Sequence, residues 1–471
     1  MRRALLLLFC CLASCGGEPA PAVAPRTELA RADSFEAEAR AIHEELIAID
    51  TSHGDETKAA RAIGERFARV GIPFEIVEPQ PGRGSIVARI KGSGKKRPLL
   101  LVAHLDVVPV EGQPWTTAPF TPTVKDGFLA GRGVGDDKAM AAAFAATAIE
   151  LARDKTPLAR DVIVALTAGE ETGGLVGVKW IVDHRRDLVD AEIALNEGGS
   201  LLTTPDSRGV ELVGIGVAEK TYQSYRLVAH GPGGHSSQPP PGVDPVLTLA
   251  RALVKVGELH MPARVLPEVS AYLGAAAKWE KPPVADALRR ASSGTLSPDD
   301  ERTLSTDRGY GSLIRTTCVT TMLSGSPADN VLPTTAEAVV NCRILPDETR
   351  ELVRMRLVEA IGDSAIDVSL VQDQGVGPSS PRTGEAPDAI ARVAHQTWPS
   401  AQIVTSMGTG ATDSRHLRAV GIASYGISSA PMSLAEVRAG HGAHGPDERR
   451  PIAWLGPGAR FTRDVVLALA K

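Results

Sequence analysis

The chain has 471 residues, of which 43% are hydrophobic and 23% charged, as in an ordinary globular protein long enough for two or three domains. Aromatic residues make up only 4%, which disfavours an aromatic-rich platform for sugars or nucleic-acid bases. The formal net charge of −5 disfavours a polyanion-binding surface, so we expect no nucleic-acid partner.

The N-terminus differs from the rest of the chain. Arg2 and Arg3 precede an apolar run over residues 4–12 that is too short to span a bilayer. The run ends in Leu-Ala-Ser-Cys, which resembles the lipobox of bacterial lipoproteins, whose cysteine is lipidated. We therefore predict a lipoprotein signal peptide over residues 1–15, lipidation of Cys15 and a tether over residues 16–35. An ordinary cleaved signal peptide is the alternative.

These features predict a protein of the bacterial cell envelope that faces the periplasm or the exterior. No other segment has about eighteen uninterrupted apolar residues, so the lipid anchor is the only membrane contact we expect.

Beyond the tether, helical patterns alternate with short apolar runs. Three short apolar runs are typical of strands buried on both faces: Pro98–Ala103, Asp161–Thr167 and Glu192–Leu195. The alanine-rich segment Lys138–Leu151 is typical of a buried helix. This alternation predicts an α/β fold with a mostly parallel sheet flanked by helices. We assign it to residues 36–213 and 371–471, the two parts of a catalytic domain.

Residues 214–370 have a different pattern. Gln223–His230 alternates like a half-exposed strand, and Thr316–Leu323 and Ala336–Ile344 are two further predicted strands among helices. We predict a smaller inserted α+β domain. Cys318 and Cys342 lie in adjacent predicted strands, and the pattern leaves open whether their thiols pair.

Polar motifs follow the predicted strands, where ligands bind in open α/β sheets. His104 and Asp106 follow the first strand; a neutral imidazole is a good zinc ligand, and a nearby carboxylate can hold its other nitrogen. Glu170 and Glu171 follow the second strand, where uncompensated burial would be costly unless they are solvated, paired or metal-bound. Glu197 follows the third in an Asn-Glu-Gly-Gly sequence.

Two more motifs complete the set. Asp136 and Asp137 end a Gly-Arg-Gly-Val-Gly-Asp-Asp sequence that opens the alanine-rich helix. Alone, they are more typical of a helix cap with a solvated neighbour. Near the C-terminus, His441 and His444 share a loop that ends in Asp447-Glu448.

Together and in this order, the five motifs resemble the dinuclear zinc family of aminoacylase, carboxypeptidase S, carnosinase and succinyl-diaminopimelate desuccinylase. The resemblance covers residues 36–471, and the Asn-Glu-Gly-Gly form looks most like the carboxypeptidase S and N-acyl-amino-acid hydrolase branch. It implies a zinc-exopeptidase-like fold with an inserted lid or dimerisation domain, and two zinc ions per chain, with cobalt or manganese as substitutes.

The resemblance also implies the metal ligands. His104 and Glu197 would hold one ion, Glu171 and His444 the other, and Asp136 would bridge them. His441 is the alternative to His444. A cis peptide bond between Asp136 and Asp137 is implied as well. The chain departs from the family at Ala139, where glycine is common, and at Asp447, where asparagine is common.

Further roles follow from the resemblance. Glu170 would be the general base, and Asp106 would steady His104. His235, in a Gly-Gly-His-Ser-Ser motif, would stabilise the oxyanion, often in the site of a partner subunit, which implies a homodimer through the lid. Within a single chain we therefore expect His235 to lie away from the metals.

Substrate-binding residues are implied in two segments. Arg343 would grip a substrate carboxylate, which its guanidinium fork suits, and Asn330 would assist it. Gly410, Thr412 and Arg415 would line the carboxylate pocket.

The resemblance implies hydrolysis of an amide or peptide bond next to a free carboxylate, in a small peptide or an N-acyl amino acid, with Glu170 accepting a proton from the attacking water. A zinc-binding lipoprotein of the same fold without activity is the alternative, and the presence of Glu170 disfavours it. An amide synthase would use the same site in reverse, but bulk water favours hydrolysis.

Overall fold

The computed structural model describes residues 34–204, 209–373 and 375–471; the predicted signal peptide, Cys15 and nearly all of the tether lie outside these ranges. Within them, no helix combines the length and the hydropathy needed to cross a membrane.

The helices are α1 (Phe35–Ile47), α2 (Glu56–Arg69), α3 (Lys138–Asp154), α4 (Val178–His184), α5 (Arg186–Val189), α6 (Pro245–Glu258), α7 (Pro267–Ala276), α8 (Val284–Ser292), α9 (Pro298–Ser305), α10 (Arg308–Leu313), α11 (Arg350–Ile361), α12 (Glu385–Thr397), α13 (Ser414–Ala419), α14 (Leu434–Arg438) and α15 (Ile452–Ala470). The strands are β1 (Phe74–Val77), β2 (Ser85–Ile90), β3 (Leu99–His104), β4 (Thr123–Lys125), β5 (Phe128–Ala130), β6 (Val162–Thr167), β7 (Ile193–Asn196), β8 (Ser200–Thr203), β9 (Val210–Glu219), β10 (Thr221–His230), β11 (Gly234–His235), β12 (Thr317–Ser324), β13 (Val331–Leu332), β14 (Thr335–Ile344), β15 (Ile366–Leu370), β16 (Gln402–Gly408), β17 (Ala423–Gly426), β18 (Met432–Ser433) and β19 (Arg449–Pro451).

A large central sheet carries the strands that were predicted as buried. Its order is β1-β2-β6-β3-β7-β17-β9-β8-β18, with β16 paired to β9. At its centre β3 runs parallel to β6 and β7, and β17 runs parallel to β7. Antiparallel pairs occur where β1 meets β2, β2 meets β6, and β8 meets β9. The predicted mostly parallel sheet is confirmed.

Helices cover both faces of this sheet, which explains why β3 and β6 are apolar along their whole length. Leu99 and Leu101 point to a core shared with α1, α3, α12 and α15, whereas Leu100 and Val102 point to a second core shared with α4. The alanines of α3 let that helix pack closely between α1 and the sheet, because they bury little volume and lose no side-chain entropy.

A second, smaller sheet has the order β12-β14-β10-β15. Helices α6 and α11 pack on one of its faces through side chains such as Leu249, Val353 and Leu357. A separate short pair of strands, β11 and β13, brings Gly234 opposite Leu332. This small sheet with its two helices is the predicted inserted α+β unit.

The observed organisation differs from the predicted domain limits in two places. Strand β9 belongs to the central sheet, so the predicted boundary after residue 213 falls inside a strand; only Lys220 separates β9 from β10 of the small sheet. In addition, α7 to α10 pack on the central core through residues such as Leu273 and Leu288. The first difference arises because the apolar pattern of β9 continues into β10 with no glycine or proline at the change of sheet.

The small sheet contains the one pair of cysteines in the described chain. Cys318 and Cys342 lie directly opposite each other on β12 and β14, and they form a disulfide with their Cα atoms 4.1 Å apart. The question that the sequence left open is therefore answered in favour of pairing.

Candidate metal centre

The predicted ligands converge at one edge of the central sheet. His104 is the last residue of β3, Glu170 and Glu171 lie on a single helical turn after β6, and Glu197 directly follows β7. Because these strands are parallel neighbours, their carboxyl ends meet at the same edge. Asp136 comes from the loop before α3.

Two histidines flank Asp136. His104 Nε2 lies 2.9 Å from Asp136 Oδ1 and 3.7 Å from Glu197 Oε1. His444 Nε2 lies 3.2 Å from Asp136 Oδ2 and 3.0 Å from Glu171 Oε2. The five side chains thus form two groups that share Asp136, as expected for a bridging carboxylate.

Two further expectations concern the same loops. The peptide bond between Asp136 and Asp137 is cis, as the family resemblance implied. Within the described part of the chain, the Nδ1 atom of His441 is buried without a hydrogen-bond partner, whereas His444 Nε2 lies against Asp136 and Glu171. His444 is therefore the histidine that the geometry favours as a ligand.

The electrostatics of the cluster favour positive charge between the carboxylates. Hydrogen bonds to Asp136 and Glu171 raise the pKa of the His444 imidazole to about 10. Burial would lower the pKa of His104, but its contacts with Asp106 and Asp136 outweigh burial and raise that pKa well above its usual value. Burial would raise the pKa of Asp136, yet the two histidines together hold it below its usual value.

The pKa values of Glu170 and Glu197 shift in the opposite direction to that of Asp136. Burial raises the pKa of Glu170 well above its usual value, and burial together with repulsion from Glu170 does the same for Glu197. Two carboxylates in one buried place repel each other, so both ionise readily only when a positive charge lies near them.

Asp106 forms hydrogen bonds both with His104 and with the turn that carries Glu170 and Glu171. His104 Nδ1 lies 2.8 Å from the backbone carbonyl of Asp106 and 3.5 Å from its carboxylate, so the carbonyl accepts the hydrogen bond. The carboxylate instead accepts hydrogen bonds from the backbone N–H groups of Glu170 and Glu171, at 3.1 and 3.0 Å. Asp106 therefore orients the His104 ring through its backbone and fixes the turn that carries the two glutamates through its side chain.

Glu448 is a residue to which the sequence analysis gave no role. Its buried carboxylate accepts hydrogen bonds from the backbone N–H groups of Gly133, Gly135 and Asp136, at 3.1, 2.9 and 3.3 Å. It also pairs with Arg132 at 3.0 Å. Because Glu448 follows His444 in sequence, it joins the loop of Asp136 to the loop of His444. Its place in a charged C-terminal motif was the only signal in the sequence.

A cavity of about 460 Å³ opens over the clustered carboxylates. Arg343 of β14 lines it with its guanidinium 4.5 Å above the ring centre of Tyr222. Among the described residues Arg343 has no acidic partner, so its fork of donors is available to a ligand. Tyr222 is a second residue that the sequence analysis missed, since it lies among alternating polar side chains of an ordinary strand.

The predicted loop residues Gly410, Thr412 and Arg415 also line this cavity. Thr412 donates from its backbone N–H and its hydroxyl to Glu219, both at 2.8 Å, which fixes the loop. Arg415 is buried and donates to the carbonyl of Gly173 at 2.8 Å. These contacts hold Arg415 in the wall of the cavity, next to the turn that bears Glu171.

His235 and Asn330 lie elsewhere. Both are exposed at the short pair of strands β11 and β13, where the backbone N–H of Ser236 donates to the carbonyl of Asn330 at 3.0 Å. His235 Nδ1 accepts a hydrogen bond from the hydroxyl of Ser237 at 2.8 Å. In the described chain neither residue lines the cavity or bonds to the carboxylates. The expected separation of His235 from the cluster is seen, and its catalytic role stays a prediction.

The donor set suits divalent cations, and Asp136 lies between two groups of donors, one with His104 and Glu197 and the other with Glu171 and His444. Potential ligand atoms of His104, Asp136 and Glu171 lie within 4.8 Å of one another, and so do those of His104, Glu170 and Glu197. Imidazole nitrogens together with carboxylate oxygens are the ligands that zinc and related ions prefer.

The comparisons with known proteins agree with this geometry. Residues 100–468 match Peptidase family M20/M25/M40, and the chain belongs to this family. It is 27% identical to the N-fatty-acyl-amino acid synthase/hydrolase of Xenopus tropicalis over 82% of this chain and 77% of that protein. It is 26% identical to the succinyl-diaminopimelate desuccinylase of Variovorax paradoxus over 78% of this chain and 84% of that protein.

Solved structures show the same fold. An M20 family metallo-carboxypeptidase from Sulfolobus solfataricus matches with a TM-score of 0.69 at 19% identity, over 92% of this chain and 99% of that one. A dinuclear metal-binding M20 peptidase from Bacillus subtilis matches with a TM-score of 0.59 at 15% identity, over 93% and 99%. The family and the site make this chain a metallohydrolase of amide bonds with a dinuclear centre, and they disfavour the non-catalytic alternative.

The role of Glu448 yields a prediction. Glu448→Gln keeps the side-chain shape but turns an amide group towards backbone N–H donors, which loosens the loop of Asp136. We expect metal affinity to fall about 10- to 100-fold, the usual effect of a group that orients a ligand, with the fold retained. A competition titration against a chelator measures this affinity.

Glu436→Gln is the matched control. Glu436 pairs with Arg449 in the same C-terminal region but contacts none of the clustered side chains. Equal metal affinities of the Glu448→Gln variant and the wild type would show that Glu448 has no such role.

Proposed function

We propose that this chain is a zinc-dependent hydrolase that cuts the amide bond of N-acyl amino acids and small peptides next to a free carboxylate. The observation that carries the proposal is the cluster of histidines and carboxylates in the same cavity as the unpaired guanidinium of Arg343. The names of two relatives support it: one is a synthase/hydrolase of N-fatty-acyl-amino acids, and the other is a desuccinylase of succinyl-diaminopimelate.

His104 and Glu197 would hold one zinc ion, Glu171 and His444 the other, and Asp136 both. When bound, the two ions supply the positive charge that makes a water acidic at neutral pH and that balances negative charge on the substrate oxygen. Cobalt or manganese would suit the same donors.

Glu170 is placed to move protons. Its carboxylate lies within 4.8 Å of ligand atoms of His104 and Glu197, and Glu170 lines the cavity. Since five other side chains suffice to hold two ions, Glu170 is free to accept a proton from the attacking water and to return it to the leaving amine. The hydrogen bond from its backbone to Asp106 keeps it in position.

Arg343 would bind the substrate carboxylate. A guanidinium and a carboxylate form two parallel hydrogen bonds, which fixes the substrate as well as attracting it. The ring of Tyr222 supports the guanidinium, and Gly410 and Thr412 line the same cavity. Held in this way, the amide carbonyl lies over the metal cluster.

We also propose that the chain acts as a homodimer through the small sheet. Its edge strand β12 exposes the apolar side chains of Val319, Met322 and Leu323 at 62%, 65% and 68%, an apolar edge that a second copy would cover. His235 lies in the short strand β11, and Asn330 directly precedes the partner strand β13. In a dimer they would enter the cavity of the other subunit, where His235 would stabilise the oxyanion.

For localisation, we propose a lipid anchor at Cys15. The support is the lipobox-like sequence before it, and the residues concerned lie outside the described chain. Cys15→Ala should move the expressed protein from the membrane fraction to the soluble fraction. An unchanged distribution would argue against the anchor.

Glu170→Gln tests the assignment of the base. We expect the variant to bind both metal ions but to lose at least about a hundredfold in kcat, because the water then has no acceptor for its proton. Metal content and turnover of the same preparation are measured together. Glu171→Gln, the neighbouring control, should lose metal as well as activity. A Glu170→Gln variant near wild-type turnover would exclude Glu170 as the base.

Complementation tests the role of His235 in a partner's site. His235→Ala and Glu170→Gln should each be nearly inactive as homodimers. A heterodimer of the two, purified through two different tags, contains one site with both residues intact. We expect it to recover about half the wild-type activity, since a two-fold dimer has two equivalent sites. No recovery would mean that His235 does not act across the subunit interface.

A further inference from the structure

The part of the cavity that would receive a substrate carboxylate is lined from two different sheets. Arg343 and Tyr222 lie on β14 and β10 of the small sheet, whereas Gly410 and Thr412 lie in the loop that follows β16 of the central sheet. A cavity built in this way holds a carboxylate in one place only if the loop and the guanidinium keep a fixed separation. The contacts that fix this separation are therefore part of substrate recognition.

Glu219, the last residue of β9, holds the loop. Its buried carboxylate accepts hydrogen bonds from the backbone N–H and the hydroxyl of Thr412, both at 2.8 Å, and from the guanidinium of Arg418 at 3.2 Å. The backbone N–H of the next residue, Lys220, donates to the carbonyl of Gly408 at 3.0 Å. The loop is thus tied to the end of β9 at both Gly408 and Thr412.

Lys220 holds the small sheet. Its side chain is fully buried, and its amino group donates to the carbonyl of Ser312 at 2.8 Å and to the hydroxyl of Thr317 at 3.3 Å. Thr317 of β12 lies directly opposite Arg343 in the small sheet, and Tyr222 lies opposite Arg343 on its other side. Arg343 therefore lies between a residue that Lys220 binds and a residue that follows Lys220 by two positions.

We propose that Glu219 and Lys220 are positioning residues that fix the loop of Thr412 relative to Arg343 and thereby determine the preference for substrates with a free carboxylate. The inference rests on the proposed function, in which Arg343 binds that carboxylate. In the described chain neither side chain lines the cavity, so each acts through the residues that it holds. Because both are buried, water cannot replace the hydrogen bonds that they make, and loss of these bonds releases the loop or the strand.

The test compares substrates that differ only in the carboxylate. A panel of N-acetyl amino acids and dipeptides first identifies a compound that the zinc-loaded protein cleaves, and this compound is then compared with its C-terminal carboxamide. Release of the N-terminal part is measured for both. We expect the wild type to prefer the carboxylate at least about a hundredfold in kcat/KM, because a site built to bind a charged group rejects the analogue that lacks it.

Glu219→Met and Lys220→Met remove the two sets of hydrogen bonds separately. Methionine is similar in length to both residues but forms no strong hydrogen bond. In each variant we expect the preference for the carboxylate to fall about tenfold, the effect of losing a well-placed hydrogen bond to a charged group. The fall should come from a higher KM for the carboxylate substrate, with kcat and the cleavage of the carboxamide within about threefold of the wild type.

Glu211→Met and Lys278→Met are the matched controls. Glu211 lies on the same strand as Glu219 and pairs with Lys278 at 3.3 Å, and neither residue lines the cavity in the described chain. Both controls should keep the wild-type preference. Lys220→Met leaves the pair of Glu219 and Arg418 intact, so it decides the question if Glu219→Met does not fold.

The outcomes separate the inference from the proposed function. A lower melting temperature, or an equal loss of kcat/KM on both substrates, with the preference unchanged would show a purely structural role and overturn the inference while leaving the proposed function intact. A wild type that cleaves the carboxylate and the carboxamide equally well would remove the proposed recognition by Arg343 and this inference with it. If no compound of the panel is cleaved, the proposed function itself fails.

Discussion

The repulsion among four carboxylates at one edge of the central sheet is the constraint around which the site is organised. Asp136, Glu170, Glu171 and Glu197 line a single cavity, and burial makes their negative charge costly. His104 and His444 lie against them, and the carboxylates raise the pKa of both imidazoles. Two cations would balance this charge, and the surrounding hydrogen bonds of Asp106 and Glu448 hold the loops in the geometry that such ions require.

Much of this arrangement could be predicted because it depends on local sequence. Buried parallel strands are continuous apolar runs, and the residues directly after them lie at one edge of the sheet, which located His104, Glu170 and Glu197. His444 and Asp136 lie on loops outside these strand ends, so their position followed from the family resemblance and not from the pattern itself. The cis bond after Asp136 came from the same source.

Other features depend on contacts between distant segments and could not be read from the sequence. The change of domain at Lys220 has no turn signal, because β9 and β10 are both strands that simply enter different sheets. The packing of α7 to α10 on the central core is set by tertiary contacts of apolar residues such as Leu273 and Leu288. The role of Glu448 arises from backbone donors more than 300 residues earlier in the chain.

The central claim is that this cluster holds two metal ions through five particular side chains. Anomalous diffraction from crystals of the zinc-loaded protein, recorded on both sides of the zinc absorption edge, tests it most directly. The account predicts two zinc peaks per chain, one against His104 and Glu197 and one against Glu171 and His444, with Asp136 between them. A single peak, or a second peak bound by His441 with His444 turned away, would contradict it.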